Sequence, residues 1–309
     1  MKDLRIGLVQ MQVTIGDVKT NRQKMAAFVE EAAGKGVEAI CFPELCLQGY
    51  NREKAGDYAE PVPGESTLFF SRLARSHNMI ILAGMAETSG RGNPYITQVV
   101  AYPDGRIDRY RKTHLGRSER PYFTPGDSLP VFETERVRFG VEICWDLHFP
   151  EVTTVLSLKG AEVIFAPHAS PTIVGDRRDI WLKYLSARAY DNTVFVAACN
   201  LVGAAGENQQ FCGGALVIDP KGNVIAEDFL GREGLLVVDL KAELLNTIRQ
   251  GRARTMRHSF YLLSRRPELY RPLVEQETAE KKGGKGSPGL YAGNNFVTRD
   301  CPSAGDSKA

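Results

Sequence analysis

No stretch of the 309 residues stays apolar for the roughly 20 positions that a membrane-spanning helix needs; the run at 79–86 is among the longest. An excess of one charge is lacking too. Lys and Arg number 39 against 37 Asp and Glu, a formal net charge of +2, and no basic stripe stands out. A protein that holds nucleic acid by neutralising phosphates needs such a stripe, so neither nucleic acid nor a membrane is an expected partner. The six cysteines are scattered and do not make the disulfide framework of a small secreted protein. The opening Met1-Lys2-Asp3-Leu4-Arg5 lacks the apolar core of a secretion signal. These absences lead us to expect a cytoplasmic protein with reduced thiols. Cys41 and Cys46 have neither the spacing nor the histidine partners of a zinc site. Gly213-Gly214 follows a loop and opens no helix, so it is not a phosphate cradle, and no cofactor is expected.

What is present is an ordinary globular composition, 43% hydrophobic and 25% charged, long enough for a deep core. Apolar strands are predicted at 5–11, 39–42, 79–86, 163–166 and 194–200, and amphipathic helices at 19–33, 67–77, 152–159 and 176–192. A meander is predicted over 92–112 with its turn at 103–106, a hairpin over 214–227, and a last strand at 234–239. The order begins βαβαβ and then repeats with inserted hairpins, which implies a layered α/β core. From Glu277 the character changes to a Lys- and Gly-rich stretch that cannot pack a core. The expected division is therefore a domain over 1–276 and a flexible or partner-docking tail over 277–309.

The chemistry centres on 137–151. Val137, Phe139, Val141 and Ile143 alternate with polar residues or glycine, the period of a strand, and that strand delivers Cys144. Two other strands also end at reactive groups, Glu44 after 39–42 and Lys112 after 107–111. If these strands are sheet neighbours, an acid, an ammonium and a thiol meet at one edge. Singly, each is unremarkable: a lone cysteine is more often a small core residue, and a strand-end Lys or Glu is usually solvated. The combination carries the argument.

Phe42-Pro43-Glu44-Leu45, Arg111-Lys112-Thr113-His114-Leu115 and the run from Glu142-Ile143-Cys144-Trp145-Asp146 to Pro150-Glu151 resemble the three signature segments of the nitrilase, or carbon–nitrogen hydrolase, superfamily. The resemblance extends from about Arg5 to Tyr270. It implies an α/β fold of the four-layer α-β-β-α sandwich type, with association into a homodimer or higher homo-oligomer. Cys144 is then the nucleophile, Glu44 the general base, and Lys112 with the backbone N–H of Trp145 the oxyanion donors. Family members commonly carry a second glutamate that orients substrate and lysine, a role carried to Glu119. For the substrate pocket the candidates are Tyr50, Trp145, His148 with its neighbour Phe149, His168 and Arg177. Arg177 and Arg178 are suited to an acidic substrate, because a guanidinium binds a carboxylate through two parallel bonds.

The expected activity is thioester-mediated hydrolysis of a small amide or N-carbamoyl compound, an EC 3.5 type of reaction. Cys144-Trp145-Asp146 looks like the amidase and carbamoylase branches, whereas nitrilases usually carry Glu two places after the nucleophile. The 265–270 segment, Arg265-Arg266-Pro267-Glu268-Leu269-Tyr270, resembles a segment of the carbamoylase-like branch, which includes carbamoyl-polyamine hydrolases. Nitrile hydrolysis, a non-catalytic scaffold and a Cys–His peptidase using His148 or His114 are the alternatives. Glu142, two residues before Cys144, is expected on the same strand face beneath the site, with Arg188 as its cation.

Overall fold

The computed structural model describes residues 1–90, 92–172, 175–206, 209–250, 255 and 260–275. The elements run β1 (Leu4–Gln10), α1 (Val18–Gly34), β2 (Ala39–Cys41), α2 (Ala55–Tyr58), α3 (Glu65–His77), β3 (Ile80–Glu87), β4 (Tyr95–Ala101), β5 (Ile107–Arg111), β6 (Phe132–Glu133) and β7 (Arg138–Val141). They continue with α4 (Pro150–Leu158), β8 (Val163–His168), α5 (Arg177–Asn192), β9 (Phe195–Asn200), β10 (Val202–Ala204), β11 (Gln210–Cys212), β12 (Ala215–Ile218), β13 (Val224–Asp228), β14 (Gly234–Leu240) and α6 (Ala242–Arg249). All of these lie in one compact unit, Met1–Arg265; a second unit begins at Arg266 and contains a short helix, α7 (Arg271–Val274). The expected tail, 277–309, lies outside the described residues.

Two six-stranded sheets form the centre, ordered β14-β1-β2-β3-β4-β5 and β13-β12-β9-β8-β7-β6. The alternation within the second sheet shows the layering. Val163, Phe165, Ala197, Cys199 and Val217 join the core between the sheets. Their neighbours Ile164, Ala166, Val196, Ala198, Leu216 and Ile218 pack instead with Leu156, Trp181 and Leu185 of α4 and α5. A strand covered on both faces reads as a nearly continuous apolar run, and β8 and β9 are buried throughout and apolar up to their last residues, His168 and Asn200. Across the gap, Cys199 Sγ lies 3.9 Å from Cys41 Sγ, so β9 faces β2. Helices α1 and α3 pack together outside the first sheet. The result is the expected α-β-β-α sandwich.

Sequence periodicity places the long elements within a few residues. The short ones, α2, β6, β10, β11 and α6, are too brief to show a period and are not predicted. Strand β7 stops at Val141 rather than Ile143, since the chain turns into a short 3-10 helix at Cys144–His148.

The expected adjacency of strands does not hold. Between β2 and β5 lie β3 and β4, and β7 belongs to the other sheet. Glu44 reaches the far side because the chain after β2 crosses over the intervening strands at Gly84 and Gln98, which are paired at the middle of β3 and β4. Gln98 on β4 donates to the Phe42 carbonyl at 3.0 Å, and the Leu47 N–H donates to the carbonyl of Gly84 on β3 at 3.0 Å. A Cβ on Gly84 would stand 2.3 Å from the Pro43 carbonyl oxygen and 2.6 Å from the Leu45 nitrogen, both backbone atoms. Gly126 plays the same part behind Lys112: its N–H donates to the Lys112 carbonyl at 2.8 Å, and a Cβ there would lie 2.4 Å from the Arg111 carbonyl oxygen.

Gly84→Ala should therefore push the Glu44 loop off the sheet. The expected cost is about 1–3 kcal/mol of stability, seen as a melting temperature lower by on the order of 5 °C. Turnover measured well below the new melting temperature should fall further than the folded fraction does.

Candidate active site

Lys112 follows the last strand of the first sheet and is 1% exposed. Its Nζ donates to Glu44 Oε1 at 2.7 Å and to Glu119 Oε1 at 2.8 Å. Both carboxylates are buried with it. Glu44 accepts one more bond, from the Ala169 N–H at 2.9 Å. Glu119 accepts two more, from the Tyr50 hydroxyl at 2.8 Å and the Gly116 N–H at 2.7 Å. Burial raises Glu44 to about 7, with Glu119 adding to the shift and Lys112 opposing it. Burial alone would lower Lys112, but the charges of Glu44 and Glu119 outweigh it and hold the ammonium well above its ordinary value.

Cys144 stands at the first position of the 144–148 turn with φ +47°. A left-handed backbone is unusual for a residue with a side chain and is found where a site demands it. Among the described residues four non-glycine positions have positive φ. Asn78 and Thr193 end helices, while Leu45 and Cys144 lie at or beside the acid and the thiol. The turn is held by Asp146, which is fully buried. Its carboxylate accepts from the Ile143 and His114 N–H groups and from the Tyr110 and Thr113 hydroxyls, at 2.8–2.9 Å. Three of those donors belong to the segment around Lys112, so Asp146 locks the thiol turn of one sheet to the lysine strand of the other.

The sulfur, Lys112 and Glu119 line one cavity of about 880 Å³ with Tyr50, Trp145, His148 and Arg177, and with Ser170 and Tyr184, which sequence reasoning missed. Glu44 lies beneath, bonded to Lys112. Burial pushes the Cys144 thiol up to about 12, Glu44 adds to the rise, and Lys112 opposes it. The Ser170 hydroxyl lies 3.5 Å from Sγ, within hydrogen-bonding reach of the sulfur. Its backbone is fixed by Asn200, which accepts from the Ser170 N–H at 2.8 Å and donates to its carbonyl at 3.1 Å. The Trp145 N–H is in the first turn of its helix, where amides lack intrahelical partners.

Several expectations need correction. His168 is enclosed, not on the cavity wall: Nδ1 lies 2.8 Å from the Ala166 carbonyl oxygen, and Nε2 is 3.5 Å from the Tyr184 hydroxyl. Burial, then the charge of Arg177, holds it well below the usual histidine range, so it is a neutral support for Tyr184. Phe149 stacks on His114 at 4.0 Å between ring centres. Neither His114 nor His148 is bonded to the sulfur: the first is 3.2 Å from Asp146, and the second packs between Trp145 and Tyr184. Arg178 pairs with Glu227 at the surface. Glu142 does not share a face with Cys144. It points to the α4–α5 layer, and Arg188, its expected cation, donates instead to the Leu147 carbonyl through two N–H groups at 3.1 and 2.9 Å. Both Glu142 oxygens lack partners among the described residues. Burial raises its carboxyl to about 8. No cluster of three His, Cys, Asp or Glu able to hold a metal occurs among the described residues.

A thiol beside a buried acid and ammonium, at the end of such a sandwich, defines a thiol-dependent hydrolase. The chain belongs to the carbon-nitrogen hydrolase family, whose pattern matches residues 5–250. It is 32% identical over 280 residues to a probable nitrilase of Schizosaccharomyces pombe, covering 87% of this chain and 98% of that one. With an omega-amidase of Xenopus tropicalis the identity is 32% over 274 residues, 84% and 98% of the two chains. Among solved structures it is similar to an amidase of Nesterenkonia sp. AN1, with a TM-score of 0.75, 25% identity and coverage of 88% and 97%. That structure shows the acetamide moiety of fluoroacetamide added covalently at the active-site cysteine.

Ser170→Ala should slow alkylation of Cys144 by iodoacetamide about 5-fold at neutral pH, the value of one ordinary hydrogen bond, with the fold intact by circular dichroism. Glu142→Gln addresses stability instead. Its carboxyl titrates near 8 when folded and near 4.5 when unfolded, so the folded state holds the extra proton and wild-type stability falls as pH rises from about 4.5 to 8. Melting curves should show the variant more stable by roughly 2–4 kcal/mol at pH 8, with the gap closing toward pH 5.

Proposed function

We propose that Cys144, Glu44 and Lys112 hydrolyse the C–N bond of a small amide through a thioester on Cys144. Glu44 takes the thiol proton as sulfur attacks the carbonyl carbon. The developing oxyanion is met by the Lys112 ammonium and the Trp145 N–H. The same proton passes from Glu44 to the leaving nitrogen, and ammonia or an amine departs. Water then gives a proton to Glu44 and attacks the thioester, after which sulfur leaves and recovers its proton. A carboxylic acid is released. Glu119 orients Lys112 and the substrate.

One observation carries this reading: the Lys112 ammonium lies between two buried carboxylates and lines the same cavity as the sulfur. Of the two, Glu44 is the better proton acceptor, because Glu119 is already met by three donors and Glu44 by two. Relatives named amidases favour carboxamides as substrates. N-carbamoyl compounds are the second reading, favoured by the sequence of the 265–270 segment. Self-association through α4 and α5 is supported by Leu158 and Tyr190, 52% and 40% exposed on those helices. A reducing, cytoplasmic setting is supported by Cys41 and Cys199, which touch without a bond. Among the described residues no helix is long and apolar enough to cross a membrane.

The base must be ionised to accept the proton. Ammonia release measured across pH 5–9 should rise to a plateau through an apparent pKa near 7, and fall about tenfold per pH unit below it. Glu44→Gln should lower kcat by roughly 100- to 10,000-fold and abolish that inflection. A scaffold without activity would release no ammonia from any amide and acquire no acyl adduct on intact-mass analysis.

A further inference from the structure

Ser170 is 6% exposed and lines the cavity beside Cys144, on the loop that leaves β8. A loop serine is ordinarily solvated; this one is pinned at each successive residue. The Ala169 N–H donates to Glu44 Oε2 at 2.9 Å, which ties the loop to the base. The main chain of Ser170 exchanges two hydrogen bonds with the buried Asn200 amide, which also donates to the Gly213 carbonyl at 2.9 Å. Pro171 forms a β-bridge with Phe211. None of these bonds uses the Ser170 hydroxyl, which is left to face the sulfur at 3.5 Å.

A hydroxyl has one hydrogen and two lone pairs. Burial raises the Cys144 thiol, and a hydrogen donated by Ser170 works against that rise by favouring the charged sulfur. With its hydrogen on sulfur, the Ser170 oxygen is an acceptor turned to the cavity, where acceptors are scarce. Arg52, Lys112, Arg117 and Arg177 line the same cavity with hydrogens to give and no lone pair to take. Glu119 already meets three donors. A primary amide attacked by Cys144 brings an NH2 group to this place, with two hydrogens to satisfy. Glu44, which accepts from Lys112 and Ala169, has to pass a proton to that nitrogen. A second acceptor is needed for the hydrogen that Glu44 does not meet. Ser170 touches the sulfur and follows the residue that holds the base, so it is placed to be that acceptor.

We infer that Ser170 is a further catalytic residue, whose hydroxyl oxygen accepts an N–H of the leaving nitrogen and later an O–H of the water that replaces it. This rests on the amidohydrolase reading above and adds a group to its machinery. Ser170 exchanges no proton in either half. As the C–S bond forms and the C–N bond breaks, the thiol proton goes through Glu44 to nitrogen. As the new C–O bond forms and the C–S bond breaks, a water proton goes through Glu44 to sulfur. The hydroxyl holds the second hydrogen each time and so turns the lone pair of the water toward the thioester carbon.

The test compares a primary amide with the methyl ester of the same acid in the wild type, Ser170→Ala and Ser170→Thr. Ser170→Ala keeps every main-chain bond described above and should match the wild type by circular dichroism. Both substrates lose the contact at sulfur in this variant. The amide alone loses a bond to its leaving group, because an ester oxygen has no hydrogen to offer. The kcat/KM of the amide relative to the ester should therefore fall on the order of 5-fold. For the ester, kcat should fall about 5-fold more than kcat/KM, since the water has lost its second partner, and the thioester should accumulate on intact-mass analysis. Ser170→Thr, which keeps the hydroxyl, should stay near the wild type in both readouts. An amide-to-ester ratio that Ser170→Ala leaves unchanged, or an ester kcat that falls no more than kcat/KM, overturns this inference and leaves the amidohydrolase reading standing. A wild type that releases neither ammonia nor methanol overturns both.

Discussion

The Lys112 ammonium, held between Glu44 and Glu119, is the interaction on which the arrangement of the site depends. None of the three charges is tolerable alone at that depth, since an unpaired buried ion costs several kcal/mol. Together they form a set with more carboxylate than ammonium, and the excess has to be absorbed by raising the proton affinity of one acid. It falls on Glu44, the carboxylate with fewer donors, which is lifted to about 7. The same burial that makes the cluster expensive thus produces a base that can both take and return a proton near neutral pH.

The thiol is adjusted in the opposite sense from a preformed thiolate. Cys144 is raised to about 12 by burial and by the negative charge of Glu44, so the resting sulfur keeps its proton. A low thiol pKa would make sulfur a better leaving group and a weaker nucleophile. In the proposed reaction, proton transfer to Glu44 has to accompany attack, and it is favoured only when a substrate carbonyl accepts the sulfur's electrons. Geometry carries the remainder: Asp146 ties the thiol turn to Tyr110, Thr113 and His114, so the distance between sulfur and lysine is fixed by hydrogen bonds and not by sheet pairing.

This division explains what could be read from the sequence. Glu44, Lys112 and Cys144 were legible because each follows a strand, and strand ends are where a sheet presents its chemistry. How they meet was not, since adjacency in a sheet is a property of topology: β2 and β5 have two strands between them, and Gly84 and Gln98 provide the crossing. Ser170 and Tyr184 gave no signal, one being a single hydroxyl in a loop and the other one aromatic among many on an amphipathic helix. His168 misled for a related reason. Extension of β8 through Pro167 carries it inward, where it bonds its own strand and steadies Tyr184. Glu142 looked like a neighbour of the sulfur by strand alternation, but alternation ends at Val141, and the left-handed turn at Cys144 separates the two.

The charge pattern of the cavity also bears on how a turnover ends. Hydrolysis of an amide replaces a neutral carbonyl group with a carboxylate at a floor that already holds Glu44 and Glu119. The substrate approaches that floor uncharged, while the product leaves an additional negative charge there, facing one shared ammonium. Like charges at such separations repel strongly when water is scarce. The cluster proposed to generate the nucleophile therefore also disfavours a bound carboxylate product.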